Sequence, residues 1–186
     1  TLAGTNLVVN APITTTASGV VTLNETGTVV LAATGDISAD GAVSITATGG
    51  ISTAGDVITT NDNVTYVSAT TLTGPVAINT GAAAGNILFS STLNGTTSGQ
   101  ENLAITAGTG NLTFTGAVGG STRLGVITIN SATDVTANAI TAASVNQIAG
   151  SGTTTLNGAL DTNTAAGVTL AGTNLVVNAP ITTTAS

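Results

Sequence analysis

The chain has 186 residues, of which Arg123 alone is basic and eight are acidic (Glu25, Asp36, Asp40, Asp56, Asp62, Glu101, Asp134 and Asp161), so charged residues make up 5% and the formal net charge is −7. This leaves nothing to neutralise phosphates, so neither nucleic acid nor an anionic membrane surface is an expected partner. Cys, Met, Trp and His are absent, which removes disulfides, thiol nucleophiles, imidazole bases and the common soft-metal ligands together.

Taken in chain order, the predicted elements are short β-runs separated by Gly, Asn, Asp and Ser. Triplets such as VTL, SIT, ILF and AIT suggest one inward apolar anchor per sub-repeat, at Leu2, Leu23, Ile45, Tyr66, Leu88, Ile105, Ile129, Ile148 and Leu170, with Leu156 as an alternative to Ile148. The eight steps between these anchors are unequal but average 21, and together they carry the chain from Leu2 to Leu170, an offset of 168. Apolar and small polar residues alternate in Val43 to Ala47, Asn102 to Thr106 and Val126 to Asn130, the period of a strand with one buried face. Gly116 to Gly125 reads as an insertion. Ala137 to Ala149 is Ala-rich but broken by Thr, Asn and Ser, and reads as strand and turn. No capped helical pattern competes.

Residues 1–18, TLAGTNLVVNAPITTTAS, return without change as residues 169–186, the same offset of 168. The expected organisation is one continuous solenoid over 1–186, with 1–168 one full repeat unit and 169–186 the start of the next, cut from a longer array. The fold class expected is all-β, a parallel β-helix or β-solenoid with about eight coils per 168-residue unit. At ~4.8 Å per coil, such a unit forms a thin rod segment. Tandem immunoglobulin-like sandwiches would need sub-domains of about 100 residues, and the 21-residue spacing argues against them.

The uncharged stretch Val64 to Gln100 is interrupted by Thr, Asn, Gly and Pro75, whereas a membrane-spanning helix needs about 20 mostly apolar residues in a row. A porin-type barrel would want aromatic girdles, and the only aromatic residues are Tyr66, Phe89 and Phe114. No membrane insertion is expected. No signal peptide is visible, as expected of an internal fragment.

The segments Ala143 to Thr154, Gly108 to Phe114 and Leu31 to Ile37 resemble the β-strand repeats of giant bacterial surface proteins, similar in style to filamentous haemagglutinin-like adhesins. The resemblance implies a right-handed parallel β-helix exposed on or shed from a cell, serving as stalk, adhesin or matrix fibre, and therefore an extracellular or cell-surface location. It carries over no functional residue. The partners expected on this reading are copies of the chain itself, end to end and laterally, and cell-surface or matrix glycans.

Five tripeptides place Asp or Asn after a small residue and before a β-branched residue or Leu: Gly35-Asp36-Ile37, Gly55-Asp56-Val57, Gly85-Asn86-Ile87, Gly110-Asn111-Leu112 and Thr133-Asp134-Val135. At equivalent corners, Asn86 and Asn111 would join hydrogen-bond ladders, while Asp36 and Asp56 would stack about 5 Å apart on successive coils. A bound Ca²⁺ would relieve their repulsion, which makes these two residues calcium candidates. The simpler expectation is that each Asp caps a turn through its own backbone and faces water, with no metal or cofactor. Scattered carboxylates and one Arg do not supply the convergent pair of a glycosidase or the base of a lyase, so no catalytic residue and no enzymatic activity are expected. Arg123, among Gly119, Gly120 and Gly125, is expected as a solvated charge in a protruding loop. Thr positions fall at no constant offset, and the unequal coil lengths disfavour a flat, ice-matching Thr lattice.

Overall fold

A computed structural model describes residues 1–185. All its regular structure is β, in short strands that pair only in parallel, and no described residue is helical. Parallel pairing of strands one sub-repeat apart, with no helix between them, forces the chain to wind as a solenoid with three faces.

Nine strands stack on face 1: Leu2–Gly4, Val21–Glu25, Val43–Ala47, Val64–Tyr66, Ile87–Phe89, Leu112–Phe114, Val135–Ala137, Thr153–Leu156 and Asn174–Val177. The inward column runs Leu2, Leu23, Ile45, Tyr66, Phe89, Phe114, Ala137, Leu156, Val177. Face 2 carries Leu7, Val29, Ile51, Thr70 and Leu93, continues through Val118, which bridges to Leu93 on one side and Ile140 on the other, and ends with Ile140, Leu160 and Ile181. Face 3 stacks Ile13, Ile37, Val57, Ile78, Ile105, Ile129 and Gln147.

Period-two sequence becomes period-two burial. In Val43–Ala47 the Val, Ile and Ala are buried while Ser44 and Thr46 are half-buried on the outside. The interior is one column of Leu, Ile, Val and Ala, widened in the middle by Tyr66, Phe89 and Phe114, whose rings stack at centroid distances of 4.8 and 5.4 Å. Burying one such side chain contributes ~1.5–3 kcal/mol, and stacking adds about 0.5–1.5 kcal/mol per pair. Two inward Thr side chains are satisfied at corners, Thr59 on the Asp62 carbonyl (2.6 Å) and Thr80 on the Gly85 carbonyl (2.7 Å), whereas the inward Thr162 hydroxyl is buried without a partner.

The anchors expected at Leu2, Leu23, Ile45 and Tyr66 stand in the column, but the later ones shift. In Ile87-Leu88-Phe89 the flanking residues point inward and Leu88 lies half-exposed on the outside. Ile105 and Ile129 belong to face 3. Ile148 is 57% exposed because Gln147 takes the inward position before it, so Leu156 is the anchor there. Leu170 packs against the core without joining the column.

The eight steps of face 1 run from Leu2 to Val177, whereas the sequence already returns to Leu2 at Leu170, so one sequence period falls short of eight coils. The second copy of the repeated peptide therefore sits at a different phase. Leu7–Val9 lies on face 2, while its identical counterpart Leu175–Val177 lies on face 1. Ile13 lies on face 3, and its counterpart Ile181 stacks on Leu160 of face 2.

The coils also differ in build. Up to Leu103–Thr106 each face has its own short strand. Beyond that, Leu124–Ser131 and Ile140–Gln147 are eight-residue strands. Ile140–Gln147 pairs through Ile140 to Ala142 with Leu160–Thr162, and through Val145 and Asn146 with Val168–Thr169, so it bends across the corner between faces 2 and 3. The expected insertion at Gly116 to Gly125 is where face 2 shrinks to Val118, followed by a tight turn at Gly119 (φ 67°), whose missing Cβ leaves room for the Thr141 carbonyl.

Candidate functional site

The polar side chains converge at the corners. Where the chain enters face 1, Asn63 Oδ1 accepts the Asn86 N–H (2.8 Å), Asn86 Oδ1 the Asn111 N–H (2.8 Å), Asn111 Oδ1 the Asp134 N–H (3.1 Å), and Asp134 Oδ1 the Thr153 N–H (2.7 Å). The ladder spans five successive coils without a break. Glycine before the rung allows the close approach, since a Cβ on Gly110 would meet the backbone of Gly85 directly beneath it.

A second ladder runs where the chain enters face 3. Asp36 Oδ1 accepts the Asp56 N–H (2.8 Å), Asp56 Oδ1 accepts the Ala77 N–H (2.7 Å), and one coil later at the same corner Asn102 Oδ1 accepts the Val126 N–H (2.7 Å). The five tripeptides thus divide between two corners instead of sharing one. Asn86 and Asn111 do form a ladder, made of side chain to backbone bonds. Asp36 and Asp56 do occupy successive positions, but each carboxylate caps the following coil and not its own turn. Among the described residues no three His, Cys, Asp or Glu side chains gather as a metal-binding group.

Glu25, Glu101 and the hydroxyl of the anchor Tyr66 are further polar groups that the fold buries. Glu25 and Glu101 continue inward alternations (Val21, Leu23, Glu25; and Glu101, Leu103, Ile105), and that parity was the available signal. Glu101 accepts from the Thr96 hydroxyl (2.6 Å) and the Thr97 N–H (3.0 Å), whereas Glu25 Oε2 lies beneath Gly4 without a partner. The buried Tyr66 hydroxyl is also unpaired, and its phenol is pushed up from the usual range by burial and, secondarily, by the charge of Asp56.

Arg123 is not the solvated loop charge expected of it. Its guanidinium pairs with the Asp161 carboxylate and donates to the Ala142 carbonyl (2.7 Å) and the Asp161 carbonyl (3.1 Å), leaving the side chain 16% exposed. It ties the loop after Gly119 to the two coils that follow.

Outward on face 1, Thr22, Ser44, Thr65, Thr113, Thr136 and Thr155 fall in one column, interrupted by Leu88. The unequal coil lengths are absorbed at corners and loops, so the hydroxyl register that the sequence hides is kept on this face. A shallow trough of ≈ 720 Å³ runs down the corner after face 3, lined among others by Asn79, Gly81, Thr106, Ser131 and Gly150. Asn79, Thr106 and Ser131 are in register, so hydroxyl and amide groups recur at coil spacing within a mainly apolar lining that holds no charged or aromatic side chain.

These features define an all-β parallel β-solenoid whose polar chemistry is spent mainly on joining one coil to the next. A scan against protein-family models, a search of curated proteins and a search of solved structures each return no match to this chain.

Proposed function

We propose that the chain is a structural segment of a long repetitive fibre at a cell surface, a rod that spans distance and presents a neutral, hydroxyl-rich surface. The observation that carries this reading is the exact return of residues 1–18 at an offset of 168, within a fold whose coils are stabilised by stacking on neighbours. Large apolar side chains at inward positions of the first and last coils (Leu2, Leu175, Val177 and Ile181) are exposed and support it, because stacked coils would cover them. The side-chain chemistry agrees with a structural role: carboxylates and amides cap backbone N–H groups, and the one guanidinium pins a loop.

Electron microscopy of chains carrying one, two and four 168-residue units tests this. The expected result is a thin rod that lengthens by about 37 Å per unit, slightly under eight coils at ~4.8 Å. Beads on a flexible string would overturn it.

A second reading, glycan binding along the solenoid, is favoured by the trough through Asn79, Thr106 and Ser131. A glycan array probed with the chain and with its Thr106→Val, Ser131→Ala variant separates the two. A rod element shows no binding above background, and a binding module binds and then loses the signal in the variant. Calcium at Asp36 and Asp56 would raise the melting temperature in a manner abolished by Asp36→Asn with Asp56→Asn. A purely structural corner gives the same melting curve with calcium and with chelator.

A further inference from the structure

We propose that consecutive 168-residue units join with a shift of one face, so that the C-terminal edge of each unit is a docking surface for the start of the next unit at a new phase. This rests on the fibre reading above. The occupant is already partly present: residues 169 onward repeat the unit's own beginning, and the structure seats them on the edge formed by Thr153–Leu156 and Leu160–Thr162.

The seat is specific. Thr153 to Leu156 pair residue for residue with Asn174 to Val177, and the Asn178 side chain donates to Asn157 Oδ1 at 3.1 Å. Asn174 follows Thr153 in the corner column that holds Asn63, Asn86, Asn111 and Asp134. Its counterpart Asn6 occupies the corner before face 2, where Oδ1 accepts the Thr28 N–H at 2.9 Å. One peptide therefore serves at two different corners. The reason is local: Asn, then Leu-Val-Val, then Asn with a Pro two residues on, specifies a corner, a three-residue strand and a second corner, and nothing in it specifies which of three similar faces it covers.

The phase follows from length. Going from Leu7 on face 2 to its counterpart Leu175 on face 1 takes seven full turns and two faces. To return in phase, the unit would have to place Leu170 over Leu156, a step well short of the tightest one in the face 1 column, from Ala137 to Leu156. The consequence is a spiral. Any surface feature of one unit, such as the Arg123 loop or the trough, reappears displaced by a third of a turn on the next, in addition to the twist of the coils. It returns only after three units, 23 coils or ~110 Å. A partner that recognises one unit's feature meets it on one side of the rod once in three units.

Disulfide trapping in this cysteine-free chain tests the shift. Thr155 and Val176 are partners on adjacent parallel strands, a Cα separation of ~4.8 Å that a disulfide spans. Thr155→Cys with Val176→Cys is expected to cross-link nearly completely under mild oxidation, and Asp161→Cys with Val176→Cys is not. An in-phase unit would place Val176 over Asp161, as Val8 lies under Val30, and reverse the two results. That reversal, or the absence of any cross-link in either pair, overturns the shift. The fibre reading is judged separately by rod length, so a lengthening rod with the 161–176 cross-link would sink this inference and leave that one standing.

Discussion

Coils one to four and coils five to eight are built from the same kinds of residue but solve the corners differently. In the first half each turn is cut into separate short strands, and the steps from Leu2 to Leu23, Ile45 and Tyr66 are nearly equal. In the second half the steps run from a long one between Phe89 and Phe114 to a short one between Ala137 and Leu156, two strands continue through a corner, and face 2 is reduced at one level to Val118. The lesson is that a parallel solenoid fixes the strand positions that stack and leaves the connections free. Irregularity is absorbed where side chains such as Arg123 and Glu101 can hold it.

The largest effect is expected at the seam between the halves, where Phe89 is stacked between Tyr66 and Phe114. Phe89→Ala should destabilise by about 3–5 kcal/mol, because the cavity and the lost stacking add. Denaturant unfolding followed together with hydrogen exchange would show whether the halves then unfold in separate steps; one cooperative transition would mean that the comparison has no energetic content.

A smaller and one-sided effect is expected from Arg123→Ala. Its bonds are charge-assisted, but Asp161 is partly exposed, so a loss of about 1–2 kcal/mol is appropriate. Exchange should quicken in Leu124–Ser131 and Ile140–Gln147 and stay unchanged in the first four coils. Asn111→Ala removes one rung and should cost about 1 kcal/mol, since the freed Asp134 N–H lies at an exposed corner where water replaces the bond. A loss above about 3 kcal/mol, beyond the range for one hydrogen bond, would mean that the ladder acts as a unit.

The smallest effect at neutral pH belongs to Tyr66→Phe, which deletes an unpaired buried hydroxyl and should be neutral or stabilising by up to about 1 kcal/mol. At alkaline pH it becomes diagnostic. The folded phenol holds its proton above the ordinary range, so above pH ~10 the unfolded chain loses that proton first and the wild-type protein becomes less stable as pH rises. A pH titration of the melting temperature should show this decline in the wild type and its reduction in Tyr66→Phe.

The same division marks how far the sequence could be read. Alternation and near-constant spacing made the parallel solenoid and its first anchors legible. The triplet Ile87-Leu88-Phe89 offers apolar residues on both parities, and only pairing with Val64-Thr65-Tyr66 chooses between them. The Gly-Asx-apolar tripeptides identified corner residues but not which corner, because that requires knowing how many faces intervene. Asn63 and Asn102 escaped notice because Asp62 and Glu101 precede them where the other rungs have Gly or Thr. Arg123 could not be placed from sequence, since its partner Asp161 lies 38 residues away.

The corner ladders also have a direction. The oxygens of Asn6, Asp36, Asp56, Asn63, Asn86, Asn94, Asn102, Asn111 and Asp134 each accept an N–H from the coil that comes later in the chain; among the described residues Asp40, Ser68 and Ser131, accepting from Ser18, Ala47 and Gly108, run the other way. A polypeptide that emerges N-terminus first thus finds its next acceptor already displayed on the coil just completed. Every new turn requires closure of a loop of only about 22 residues, a local search of low contact order. Such a rod suits growth like a coiled rope being laid down, with each finished turn serving as the mould for the next.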